Sequence, residues 1–182
     1  MTAAYYLDAN TMIAWAESKA KRVDPRAVTI GARLEQLIND SNATVALSEV
    51  TIGEFQSHMC IHWRNSHPDF RKYNAAWFEN VQGLWMRWVH DGHLIVLDTP
   101  PRALEKALVY VTSATREHKR NFRIWDAMHL GYASHWARTI GEKVHLVTSD
   151  NDFSKFTDVF PEFKKFVELL DLSTTSPIQG IV

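Results

Sequence analysis

The chain has 182 residues, the usual size of one domain and long enough to bury roughly 70% of its unfolded surface. Its 46% hydrophobic and 23% charged residues exclude a disordered tail, a fibrous repeat and a disulfide-stapled miniature. Lys and Arg total 20 against 21 Asp and Glu, so bulk charge does not steer the chain toward nucleic acid, and any such role must rest on local clusters.

In chain order, AYYLD (4–8) reads as a strand and is followed by helix-length stretches over about 11–19 and 25–40. ATVAL (43–47) is a second strand, and helices follow over 49–63 and 71–90. HLIVLD (93–98) is a third strand, with helices over 101–119 and 124–139 before a fourth, KVHLVTSD (143–150), and a fifth, FVELL (166–170). Most of these strands lack a clean polar alternation, which suits a parallel sheet covered on both faces. Asp24-Pro25 and Thr99-Pro100 offer an N-cap with Pro at the first helical position. Ser48 can cap the helix after the second strand, and Gly141 can end the last long helix. Strands alternating with helices predict a three-layer α/β/α sandwich with a mainly parallel sheet.

Cys60 is the single cysteine, so no intramolecular disulfide can form. The first residues, MTAAYYLDANTM, carry no basic stretch and set Asp8 where a signal peptide would be apolar. No apolar run approaches the roughly 20 residues that span a bilayer. A cytoplasmic protein without a membrane partner is expected. Four of the seven tryptophans, Trp63, Trp77, Trp85 and Trp88, lie in one segment. Their helical spacing fits either a helix packed on two sides or a protruding helical pair that buries aromatics against a partner.

Four acids fall at or just after the carboxyl ends of predicted strands or at helix starts, where open parallel sheets bind ligands. Asp8 closes the first strand, Glu54 lies on the helix after the second, Asp126 opens the helix IWDAMHLGYA, and Asp150 follows the fourth strand, with Asp152 two residues on. Taken singly, each fits a helix cap, a solvated charge or an Asx turn. Taken together they point to a metal, because clustered carboxylates cannot all remain ionised without a cation. Hard oxygen ligands select Mg²⁺ or Mn²⁺ over zinc, and such an ion can activate water against a phosphate ester. Asn10, rather than a second Asp, stands two residues after Asp8, which argues against a phosphatase working through an aspartyl-phosphate.

LDAN, LSEVTIGEF, IWDAMHLGYA and LVTSDNDF, in this order and in these contexts along nearly the whole chain, resemble a PIN domain. The resemblance is strongest to the toxin ribonucleases of VapBC-type toxin–antitoxin pairs. It implies a PIN-like metal-dependent endoribonuclease with catalytic acids at Asp8, Glu54, Asp126 and Asp150, and with Asp152 as a further metal ligand. Asn10 matches the polar residue that orients the first Asp, and Thr148 the hydroxyl beside the site. An RNA substrate, a small antitoxin entering the acidic groove and a homodimer are the implied partners. The domain would span 1–172, with a longer Trp-rich helical insertion over 58–92 and a tail over 173–182. The chain departs from the pattern at Ala9, where Thr or Ser is common, and at Phe55, where Leu is common. Glu49 lies five residues before Glu54, off its helical face, and is left out of the ligand set.

Two other groupings stand out. Glu54, His58 and His62 share one helix face around Cys60, but this set lacks an obvious fourth zinc ligand. His58 could instead line the approach to the acids. Arg116, Lys119, Arg120 and Arg123 precede Asp126, and they read either as a solvated face or as contacts to an RNA backbone. Phe122 and Trp125 lie among them, where they could stack a base or pack into the core. The alternatives to a ribonuclease are a catalytically silent PIN-like module that binds RNA or protein, a structure-specific DNA nuclease, and a metal-dependent phosphatase.

Overall fold

The computed structural model describes residues 2–20, 24–65 and 75–174, with backbone alone over 62–65. Five strands form one parallel sheet: β1 (Ala3–Leu7), β2 (Ala43–Ser48), β3 (Ile95–Leu97), β4 (Val144–Val147) and β5 (Val167–Leu170). Their spatial order is β3-β2-β1-β4-β5. Tyr5 pairs with Val45 on one side and His145 on the other.

Alternation along β1 divides the interior into two cores. Tyr5 and Leu7 join a first core with Trp15, Leu34, Phe55 and Trp85. Ala4 and Tyr6 face a second core with Leu130, Tyr132, Phe153 and Phe156. The first core is covered by α1 (Ala9–Ser18), α2 (Pro25–Asn39), α3 (Glu49–Asn65) and α4 (Ala75–His90). The second is covered by α5 (Ala103–His118), α6 (Ile124–Ile140) and α7 (Asp152–Val159). The result is a PIN-like three-layer α/β/α sandwich.

Local chemistry explains several boundaries. Asp24 accepts the Arg26 N–H at 2.8 Å, with Pro25 leading α2. Ser48 Oγ accepts the Thr51 N–H at the start of α3. Gly141 takes the left-handed conformation that closes α6. The Thr99-Pro100 start is corrected: α5 begins at Ala103 after Arg102, which adopts a left-handed φ of 59°. The Thr99 hydroxyl is engaged elsewhere, donating to Glu49 Oε2 and accepting from Tyr132. Helix α1 begins two residues earlier than expected, directly after Asp8. The stretch after Asp150 is a helix rather than a plain turn, because Phe153 and Phe156 lie three residues apart and bury one face. A 3₁₀ turn over Pro161–Lys165 follows.

The Trp-rich segment belongs to the first core. Trp77 and Trp85 are buried, and the Trp88 ring sits 4.7 Å from that of Trp15. The side chains of His62 and Trp63 lie outside the described residues, as do residues 175–182 of the expected tail. Helices α1 and α2 approach so closely that a Cβ on Gly31 would lie 2.8 Å from Ser18 Cβ, and nearer still to its hydroxyl. Gly31→Ala should therefore destabilise the fold by ~1–3 kcal/mol in chemical denaturation. An unchanged midpoint would show that the two helices can part freely.

Candidate functional site

The sheet order reverses beside β1: β2 and β3 lie to one side, β4 and β5 to the other. Loops leaving β1 and β4 therefore diverge at their carboxyl ends and open a crevice. Asp8 leaves β1 into it, and Thr148 and Asp150 leave β4. Helix α3 brings Glu54 from the first layer, and the first turn of α6 brings Asp126 from the other. All four acids line one cleft of about 710 Å³.

Asp8 sits at the N-cap position of α1, yet its side chain makes no cap bond. Its Oδ2 instead accepts the Thr148 hydroxyl at 2.8 Å, and the residue is 3% exposed. Burial pushes its carboxyl above the usual carboxylate range, with Glu54 adding to the rise and His129 opposing it. Burial likewise pushes Asp126 up to about 6, with Asp150 and Asp8 reinforcing the effect. The Arg123 N–H, 3.3 Å from Asp126 Oδ2, works against it. Asp150 is oriented from two sides. The Asp152 N–H donates to Oδ1 at 2.9 Å, and the Asn10 amide reaches Oδ2 at 3.4 Å.

The residue that motif reading passed over is His129, 1% exposed on α6. Its Nε2 lies 2.7 Å from Glu54 Oε2 and 3.4 Å from Asp8 Oδ1. Facing two carboxylates, Nε2 is the nitrogen that carries the proton. Nδ1 lies 2.9 Å from the Tyr6 hydroxyl, and Tyr6 is itself 2.6 Å from Ser48 Oγ. Thr51 extends this buried chain, donating to the Leu7 carbonyl at 2.9 Å. His129 follows Asp126 by three residues, so both lie on one helix face. That spacing was the available signal.

The other expected residues fall in different places. Asp152 does not line the cleft; its carboxylate pairs with Lys155 at 2.6 Å, and only its backbone serves Asp150. Glu49 does line it, holding the Thr99 hydroxyl at 2.7 Å. Of the basic cluster, Arg123 lines the cleft, whereas Arg120 borders a separate depression with His118 and Lys155. Arg116 and Lys119 are exposed around the end of α5. His58 lines the cleft 3.8 Å from Glu17, and Cys60 is exposed. Phe122 is buried in the second core, while Trp125 stands at the cleft.

The donor set suits a divalent cation. Among the described residues, a carboxylate oxygen from each of Asp8 and Glu54 and a ring nitrogen of His129 lie within 4.8 Å of one another, and the imidazole becomes a ligand only once its Nε2 proton is displaced. Burial holds the Asp8 and Asp126 carboxyls above the usual range, and a divalent ion among them would reverse both shifts. Carboxylate oxygens with at most one imidazole favour Mg²⁺ or Mn²⁺.

No known family model matches the chain, and no curated protein matches it in sequence. Among solved structures it is similar to a chain in the crystal structure of VapBC2 from Rickettsia felis bound to a DNA fragment from their promoter. The TM-score is 0.55 at 14% identity, over 92% of this chain and 98% of that one. The likeness extends to the fold.

Proposed function

We propose that this chain is a metal-dependent endoribonuclease and the toxin of a toxin–antitoxin pair. The observation that carries the reading is the convergence of Asp8, Glu54, Asp126 and Asp150 on one cleft at the strand-order reversal, where burial holds two of the carboxyls above the usual range. The shared fold with a VapBC2 chain supports the toxin assignment and a small protein antitoxin as partner. A homodimer, a cytoplasmic site of action and a single domain over 1–172 complete the proposal. Among the described residues no helix is long and apolar enough to cross a membrane.

Asp8 and Glu54, with Asp126 and Asp150 beside them, would hold the ion. When bound, Mg²⁺ or Mn²⁺ supplies a polarised water and neutralises charge on a phosphodiester. Thr148 fixes the Asp8 carboxylate through Oδ2 and leaves Oδ1 turned toward Glu54 and His129. His129 holds Glu54 against the cluster, and Tyr6 fixes the imidazole from behind. Asp152 and Asn10 keep both Asp150 oxygens in register. Arg123 places a guanidinium at the cleft, where an RNA backbone would otherwise meet only negative charge.

A catalytically silent binding module is the second reading. The observation favouring it is that Glu54 is already engaged by His129 at 2.7 Å rather than open to a ligand. Purified protein incubated with tRNA and mRNA in Mn²⁺ or Mg²⁺ separates the two. Cleavage should be suppressed by chelator and fall at least ~10²-fold in Asp8→Ala, as loss of a metal-site residue implies. RNA left equally intact by wild type and Asp8→Ala would sink the nuclease reading and leave the silent one. Cutting of duplex DNA alone would point instead to the DNA nuclease alternative.

A further inference from the structure

The cleft combines two surfaces that a metal and a phosphate do not jointly require. Its lining combines the carboxylate cluster with the apolar side chains of Ile13, Ile61, Met128 and Trp125. Trp125 is 45% exposed, and Ile61 is similarly bare. This indole differs from those of the first core. There, the Trp15 N–H donates to Glu35, that of Trp77 to the Ala16 carbonyl and that of Trp85 to Gln82. Those three rings are fixed by packing and hydrogen bonding, whereas Trp125 presents its ring to solvent beside the acids.

Its position in sequence fixes its distance from the chemistry. Trp125 immediately precedes Asp126 in the first turn of α6, so their Cα atoms are ~3.8 Å apart. Arg123, two residues earlier, brings a cation to the same cleft. One ligand class suits a carboxylate cluster, an exposed indole and an arginine lining the same cleft: a phosphodiester whose flanking base is free to stack. The cleft volume lies within the ~300–1,000 Å³ typical of sites for small organic groups.

We propose that Trp125 is a stacking platform for an unpaired nucleobase next to the phosphodiester held at the acids. The inference rests on the phosphodiester reading above and adds the residue that seats a base beside it. A paired base keeps both faces inside its own helix and cannot offer one to the indole. An apolar protein segment is the competing occupant. It would seal Asp126 and Asp150 away from water without supplying a counter-ion, at heavy desolvation cost.

The test measures binding apart from cleavage. Anisotropy of a short fluorescein-labelled oligonucleotide is followed in Ca²⁺, with gels confirming that the probe stays intact, for single-stranded RNA, single-stranded DNA and duplex RNA of one sequence. Trp125→Ala and Trp125→Leu should each weaken both single strands about 5- to 100-fold, as loss of one base–aromatic stack implies. Trp125→Phe should stay within about threefold of wild type, because it retains an aromatic face. Duplex affinity should be indifferent to all three changes. The exposed position predicts unfolding midpoints close to wild type, which separates loss of stacking from misfolding.

Unchanged affinity in Trp125→Ala overturns the proposal, and if chelator-sensitive RNA cleavage persists, the nuclease reading survives it. Wild-type affinity in Trp125→Leu also overturns it, since an apolar contact of the kind a protein partner makes would then suffice. An equal loss of duplex affinity in Trp125→Ala also overturns it, since a paired base has no free face to lose. Absence of binding to any of the three probes by wild type overturns this inference and the nuclease reading together. A loss confined to RNA or to DNA supports the platform and identifies which strand it serves.

Discussion

In metal-free protein at pH 7.5, Asp126→Asn should raise the unfolding midpoint while it abolishes metal-dependent cleavage. The folded-state carboxyl titrates at about 6 rather than in the ordinary carboxylate range, principally because it is buried. A raised pKa means that folding favours the protonated acid. That contribution is complete below about pH 4, is lost as pH rises through 6, and is absent at 7.5. A shift of about two pH units corresponds to ~3 kcal/mol, or ~6–10 °C for a chain of this length. Asn carries no charge to bury, so the variant should gain over wild type from about pH 5 upward and match it near pH 4. Mn²⁺ should act in the opposite sense, stabilising wild type at pH 7.5 more than Asp126→Asn. Thermal unfolding across pH, with and without Mn²⁺, measures both effects. A variant less stable than wild type at pH 7.5 without metal would contradict the electrostatic account of the cluster.

Trp15→Ala should carry the largest stability loss of any single truncation in the first core. The indole is fully buried, packs at a tilt against Trp88 with ring centroids 4.7 Å apart, and donates to Glu35, which is also paired with Lys19. Truncation removes the ring, leaves a cavity between α1, α2 and α4, and deprives a half-buried carboxylate of a donor. About 3–5 kcal/mol is the expected cost, which for this size lowers the midpoint by ~6–15 °C. Near-ultraviolet circular dichroism should lose intensity as the Trp15–Trp88 pair disappears. Urea unfolding that shows less than ~1 kcal/mol would mean that Trp88 and its helix simply close over the space. Trp125→Ala is the internal contrast, because the same truncation at an exposed ring removes little packing.

The alternation of short apolar strands with amphipathic helices was enough to predict the layered sheet, because parallel strands buried on both faces have few other arrangements. Strand order was not legible, since it depends on which helices cross which face. The four acids that line the cleft stood out in LDAN, LSEVTIGEF, IWDAMHLGYA and LVTSDNDF because three sit at a strand end or helix start and Glu54 lies on the early turns of the helix after β2. His129 could not be read in the same way: within MHLGYA it looks like one more core residue until Glu54 and Tyr6 are placed on either side. The basic run before Asp126 reads as one patch in sequence, but the turn between α5 and α6 divides it and leaves Arg123 alone of the four at the cleft. Tryptophans cannot be sorted by type. Those of α4 pack inward, while Trp125 faces the cleft because Ala127, Leu130 and Ala133 already provide the buried face of α6.

The place of β1 between β2 and β4 has a consequence for the order in which the protein can acquire its site during synthesis. β1 is made first and β2 soon joins it, but its other neighbour is encoded about a hundred residues after β2. Until β4 emerges from the ribosome, one side of β1 is an unpaired edge and Asp8 lacks the hydroxyl that holds it. A nascent or truncated chain that stops short of Thr148 therefore holds at most a partial set of acids, in a half-built sheet. Any activity the cleft supports is withheld until translation of the domain is nearly finished.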